Sequence, residues 1–207
     1  MIDRNKLLEQ REKVANTLRE KATKIEAIQF DNHVKVSINL SLLPKFEKDW
    51  RKNISPELKE IVAERKGAVY VFHLPNITKE EIEKRLQEYK DEIKDKPSLR
   101  RTIPSLKDIQ KRLKDADVLY IGSTNEDFGS RFYQHLGYGS ATTGALQLIH
   151  WARTFGQIEI SYYIIEPLEL ALSLQAEIIL CKVYKPLIGK MATDMVKVKR
   201  NNQNKKS

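Results

Sequence analysis

The sequence predicts a small α/β (α+β) domain in which helices pack on three short strands. Two observations predict it. Apolar runs rich in β-branched and aromatic residues, at residues 67–74, 117–122 and 158–165, have strand length and end at Pro75, Gly122 and Pro167. The segments between and after them carry apolar residues at helical spacing. The central order is therefore strand, two-helix insertion, strand, helices, strand, helix.

Each element has a local reason. Residues 3–27 read as a charged amphipathic helix. Leu7, Val14, Leu18 and Ile25 fall near a seven-residue repeat, with Arg11 at a would-be apolar position. An arm packed on its own domain is weighed ahead of a dimer zipper, and the arm is the candidate homodimer contact. Residues 28–43 alternate loosely through Phe30, Val34, Val36, Ile38 and Leu40, as in an extended segment or hairpin. Ser55-Pro56-Glu57 opens a short helix, with Ser55 as N-cap and Pro56 at its first position. Gly67 to Leu74 is the first strand. Thr78-Lys79-Glu80-Glu81 is a capping box, and Ile82, Leu86, Tyr89 and Ile93 follow at helical spacing. Lys96-Pro97 breaks that helix, and Pro104-Ser105 starts another with Leu106, Ile109 and Leu113 on one face. Residues 76–115 thus form a helical-hairpin insertion. Asp117 to Gly122 is the second strand. Helical patterns return at 129–136 and 143–155, and Ile158 to Ile165 is the third strand. Leu168 to Tyr184 is a long apolar helix expected to be buried centrally. The organisation is an N-terminal helical and extended arm at 1–65, a domain at 66–190, and a basic flexible tail at 191–207 ending Asn201-Asn202-Gln203-Asn204-Lys205-Lys206.

A chain of 207 residues can bury a core without disulfide or metal staples. Its one cysteine, Cys181, leaves no internal disulfide or cysteine-cluster zinc site, and its apolar setting reads as an inert buried thiol. The four histidines, at 33, 73, 135 and 150, are scattered. The start lacks an apolar signal core and no run is long enough to span a membrane, so a soluble, intracellular (cytoplasmic) protein is expected. The 37 basic and 28 acidic residues give a net charge of +9, which favours polyanionic partners.

Side chains on a strand alternate faces. Val69 and Val71 are therefore expected to face the core while Tyr70 faces away. Leu119 and Ile121 point one way, Val118 and Tyr120 the other, and pairing of the two strands would put Tyr70 and Tyr120 on one face. Arg131 and His135 are neighbours on a helix face. Gly122 marks a strand end where the backbone turns or approaches something closely. Glu177 on an apolar helix is notable, because burying an unpaired carboxylate is costly. This set suits phosphodiester hydrolysis. Glu177 is a hard ligand for one Mg²⁺, and Arg131 offers a planar fork for phosphate oxygens. Tyr70 could act as base if metal and arginine lower its pKa, with His135 orienting or relaying the proton.

The order of these residues resembles the GIY-YIG nuclease superfamily, closest to its restriction-endonuclease-like branch. Val69-Tyr70 matches the end of the first motif, with Ala68 in place of its glycine, and Tyr120-Ile121-Gly122 is the second motif intact. Arg131 and His135 match the helix pair, and Glu177 with Tyr184-Lys185-Pro186-Leu187 resembles the metal-binding glutamate and the segment after it. The likeness covers about residues 66–190 and departs at the long insertion and at Gly189, where the family usually has Asn. It implies a small three-stranded antiparallel sheet and a metal-dependent DNA endonuclease acting on double-stranded DNA. In that reading Tyr70 is the base or positions the water, and Tyr120 bonds near the scissile phosphate. Arg131 stabilises the transition state, His135 assists proton transfer and Glu177 holds Mg²⁺ (or Mn²⁺). Gly122, Ser123, Arg100, Arg101, Arg153 and Lys190 are the candidate nucleic-acid contacts. Two other readings stand beside this one: a catalytically impaired nucleic-acid-binding domain of the same fold, for which Gly189 argues, and an interaction protein built on the N-terminal helix.

Overall fold

The computed structural model describes residues 4–28, 30, 33–50, 54–96, 101–105, 109, 118–164 and 170–189. Among them are seven α-helices and one antiparallel sheet. In chain order these are α1 (Arg4–Glu26), β1 (His33–Asn39), α2 (Glu47–Trp50), α3 (Pro56–Ala63), β2 (Lys66–His73), α4 (Lys79–Glu92), β3 (Val118–Glu126), α5 (Phe128–Leu136), α6 (Leu148–Trp151), β4 (Gln157–Ile164) and α7 (Leu170–Tyr184). The fold is α+β, and the sheet has four strands in the order β1-β4-β2-β3 rather than the expected three. The added strand is β1, whose loose alternation proves to be an edge strand paired with β4 from His33↔Tyr163 to Asn39↔Gln157.

Local signals set several boundaries. Ser55 accepts the Leu58 amide and Pro56 opens α3. Thr78 and Glu81 close a capping box on α4, each side chain bonded to the other's backbone amide. The second helix of the insertion lies outside the described residues except for Ile109, which is fully buried. Residues 191–207 also lie outside them. No described helix is long and apolar enough to cross a membrane.

β2 is interior to the sheet and apolar on both faces, so both faces are covered. On one face Ala68, Tyr70 and Phe72 join the main core with Ile82, Leu86, Phe128, Phe132, Leu148 and Trp151. On the other, Val69, Val71, Val118 and Ile121 meet Ala176, Leu180 and Cys181 of α7, with Ile28 and Phe30 packed alongside. This corrects the expectation that Tyr70 faces away from the core, because Tyr70 is only 1% exposed. The simple alternation of β3 also fails. A register shift at Phe72/His73 lets Leu119 join the main core beside Tyr120, while Val118 sits with Ile121 in the second.

Two further expectations change. β3 runs past Gly122 to Glu126, because Gly122, Ser123 and Thr124 pair with Tyr70, Val69 and Ala68. The helix expected over 143–155 shrinks to α6 and a 3₁₀ turn at Arg153–Phe155. Leu146 donates its amide to a histidine ring instead of to a helical carbonyl, and Gln147 takes a positive φ of 57°. Along α1, Leu7, Val14 and Leu18 of the apolar row are exposed.

Candidate active site

Three elements deliver the first four candidate residues to one place. β2 and β3 pair as Phe72↔Tyr120 and Tyr70↔Gly122, which puts the two tyrosines on one face as diagonal neighbours with ring centroids 6.3 Å apart. α5 brings Arg131 and His135 onto that face. Its position is fixed at its start. Asp127 caps it by accepting the Ser130 amide and pairs with Arg65 at 2.6 Å. At Gly129 an added Cβ would lie 2.1 Å from the Val62 carbonyl oxygen, so only glycine lets α5 approach the end of α3 this closely.

Tyr70 Oη lies 3.0 Å from His135 Nε2. The Leu146 amide donates to His135 Nδ1 at 3.1 Å. An amide can only donate, so Nδ1 is an acceptor, the ring proton sits on Nε2, and His135 donates to Tyr70 Oη. The imidazole is fully buried, and burial first, then the nearby Arg131 charge, hold its pKa well below the usual histidine range. His135 is thus a fixed neutral donor. The expected proton relay through it does not suit this geometry, because the nitrogen facing Tyr70 already carries a proton.

Arg131 is half-buried. Its Nη1 donates to Gln134 Oε1 at 3.0 Å and its Nη2 to the Gly144 carbonyl at 3.3 Å. Burial opposes its charge, and Tyr70 and Tyr120 more than offset this, so its pKa is raised. Burial also pushes up the pKa of Tyr70, and the neighbouring Tyr120 adds to the shift while Arg131 opposes it. Tyr120 is raised by burial and by Glu177, again against Arg131. Arg131 alone therefore does not lower the Tyr70 pKa as expected; desolvation wins, and both phenols are protonated at neutral pH.

Gly122 completes this face. A Cβ there would lie 2.7 Å from Tyr120 Cε1 and 2.8 Å from Tyr70 Oη. The glycine makes room for both phenols in the middle of a strand, not at its end. Ser123 points to the opposite face, where its hydroxyl donates to Glu177 Oε2 at 2.5 Å. Glu177 lies on α7, and its charge is one of the causes that push up the pKa of both phenols. After α7 the chain returns along the β3 edge: the Leu187 and Ile188 amides donate to the Val118 and Leu119 carbonyls at 3.0 and 2.8 Å. That carries Gly189, at φ +106°, to the Tyr120 ring, where a Cβ would lie 3.2 Å from Cε2. The position suits glycine on both counts.

The described residues contain no cluster of three or more His, Cys, Asp or Glu side chains able to hold a metal. Among the described residues the candidate donor is the Glu177 carboxylate, half-buried and hydrogen-bonded by Ser123. One hard oxygen ligand fits a magnesium ion, which keeps several of its waters, and does not fit a dehydrated, protein-caged ion.

The other candidates are placed differently. Arg101 Nη1 donates to the Gly139 carbonyl at 3.0 Å, and the Thr102 amide to the Ala141 carbonyl at 2.9 Å, so the middle of the insertion is strapped to the loop after α5. Arg153 spends both arms of its fork on backbone, the Leu43 and Ser41 carbonyls at 2.5 Å each. Arg100 and Lys190 lie outside the described residues. Sequence reasoning did not find Gln134, the Gly144 carbonyl or the Leu146 amide as partners of the site. Gln134 is three residues from Arg131 and could have been found by helical spacing; the two backbone groups carry no sequence signal. No family model, curated protein or solved structure matches the chain.

Proposed function

We propose that the protein is a metal-dependent DNA endonuclease of the GIY-YIG kind. The observation that carries this reading is the convergence of Tyr70, Tyr120, Arg131 and His135 on one sheet face, with Glu177 bonded to Ser123 of the same edge strand. A structural aromatic cluster has no need of a half-buried guanidinium and a half-buried carboxylate beside two phenols, because each charge is costly to desolvate. The net charge of +9 supports a polyanionic substrate.

The roles follow from the donors. Arg131 neutralises charge developing on the phosphate, held at the required angle by Gln134 and Gly144. The Tyr70 oxygen accepts from His135, which turns the phenol proton toward the site, so Tyr70 positions the attacking water or a phosphate oxygen. Tyr120, at the strand edge, donates beside it. Glu177 holds Mg²⁺ or Mn²⁺, which when bound lowers the pKa of a coordinated water and neutralises the leaving oxygen. A catalytically impaired nucleic-acid-binding domain is the second reading, and Gly189 favours it, because that backbone position offers no side-chain amide. Incubation of supercoiled plasmid with Mg²⁺, with and without EDTA, separates the two. Nicked and linear products that disappear with EDTA support the endonuclease; retarded but intact DNA in both lanes supports the binding domain.

A further inference from the structure

We infer that Ser123 is a positioning residue for the metal-binding carboxylate, an inference that rests on the endonuclease reading above. Residues 120–123 serve both faces of the sheet. Tyr120 and Gly122 face the phenol side, where Gly122 leaves room for the two rings. Ser123 faces α7, and its hydroxyl donates to Glu177 Oε2 at 2.5 Å across 54 residues of chain. Glu177 stands on a helix that packs on the sheet through Ala176, Leu180 and Cys181 against Val69, Val71 and Ile121. The terminal torsion of a carboxylate is broad, and the Ser123 hydroxyl is a donor that narrows it. The bond is charge-assisted, and a bond of this kind to a metal-binding carboxylate sets which oxygen the ion meets and raises its occupancy. The strand holds Ser123 in place through pairing with Val69, so the hydroxyl is delivered by rigid backbone.

Losing such a partner weakens metal binding by about ten- to a hundred-fold. The test is Mn²⁺ binding to the full chain without DNA, followed by electron paramagnetic resonance of the free ion, for the wild type, Ser123→Ala and Ser123→Thr. Ser123→Thr keeps a hydroxyl and suits a strand. The expected result is a Kd for Ser123→Ala raised about tenfold or more, with Ser123→Thr close to wild type and Glu177→Ala showing no site. A matching rise in the Mg²⁺ concentration needed for half-maximal cleavage accompanies it. Wild-type affinity in Ser123→Ala overturns the inference and leaves the endonuclease reading standing. Absence of a Mn²⁺ site in the wild type overturns both. Thermal unfolding of each variant identifies one that has lost its fold, and Ser123→Thr then decides: restored binding supports the inference, and lost binding in a folded Ser123→Thr counts against it.

Discussion

Gly122→Ala concentrates the account into one methyl group. The added Cβ would stand 2.7 Å from Tyr120 Cε1, 2.8 Å from Tyr70 Oη and 2.9 Å from Tyr120 Oη. Ordinary carbon contacts lie near 3.5–4.0 Å, so the rings must retreat by roughly 0.7–1 Å. Tyr70 has nowhere to go: it is 1% exposed and packed against Phe72, Phe128 and His135. Overpacking of this kind costs about 1–3 kcal/mol. At this chain length that lowers Tm by roughly 2–12 °C. The Tyr70–His135 hydrogen bond is stretched in the process, and a displacement near 1 Å of a positioning group costs about a hundredfold in rate. Thermal unfolding and single-turnover plasmid cleavage measure the two effects separately. The Tyr120→Ala background relieves two of the three close contacts, so Gly122→Ala is expected to destabilise that background less than the wild type. A Gly122→Ala protein with unchanged Tm and unchanged cleavage would refute the close approach and the phenol roles together.

Two other outcomes are expected. Burial depresses the folded-state pKa of His135, so below pH 6.5 the unfolded chain binds a proton that the folded chain does not. Its stabilising contribution is complete above pH 6.5 and is lost as pH falls, at up to about 1.4 kcal/mol per pH unit. Denaturant unfolding from pH 7 to pH 5 should show a steeper loss in the wild type than in His135→Gln; parallel curves would mean that His135 is not buried neutral. His150, also lowered by burial, acts in the same direction in both proteins and cancels in the comparison. Arg153→Ala removes two backbone carbonyl contacts and should destabilise the fold by about 1–3 kcal/mol, while the salt dependence of DNA binding stays unchanged. A reduced salt slope in a variant of wild-type stability would return Arg153 to the DNA interface.

Much of the site was legible because its parts sit in regular elements. The i,i+4 spacing on α5 is a local property and put Arg131 and His135 on one helix face, and the expected pairing of the two strands put Tyr70 and Tyr120 on one sheet face, although the expected phase of β3 does not hold. The misreadings came from tertiary context. Both faces of β2 are buried, so Tyr70 could not be solvent-facing whatever its phase. β1 alternates weakly because an edge strand buries little, and its place beside β4 was invisible locally. The role of His135 depends on one backbone amide eleven residues downstream, and no side-chain pattern encodes that. Arg153 looked like a free cation because sequence does not reveal which carbonyls a long side chain will reach.

Glu177→Ala tests the central claim most directly, with binding and cleavage measured on the same plasmid DNA in Mg²⁺. The variant is expected to bind DNA as the wild type does and to cut it at least about a hundredfold more slowly, because the proposed function gives this carboxylate the role of holding the ion. A folded Glu177→Ala protein that cleaves at the wild-type rate would contradict the account.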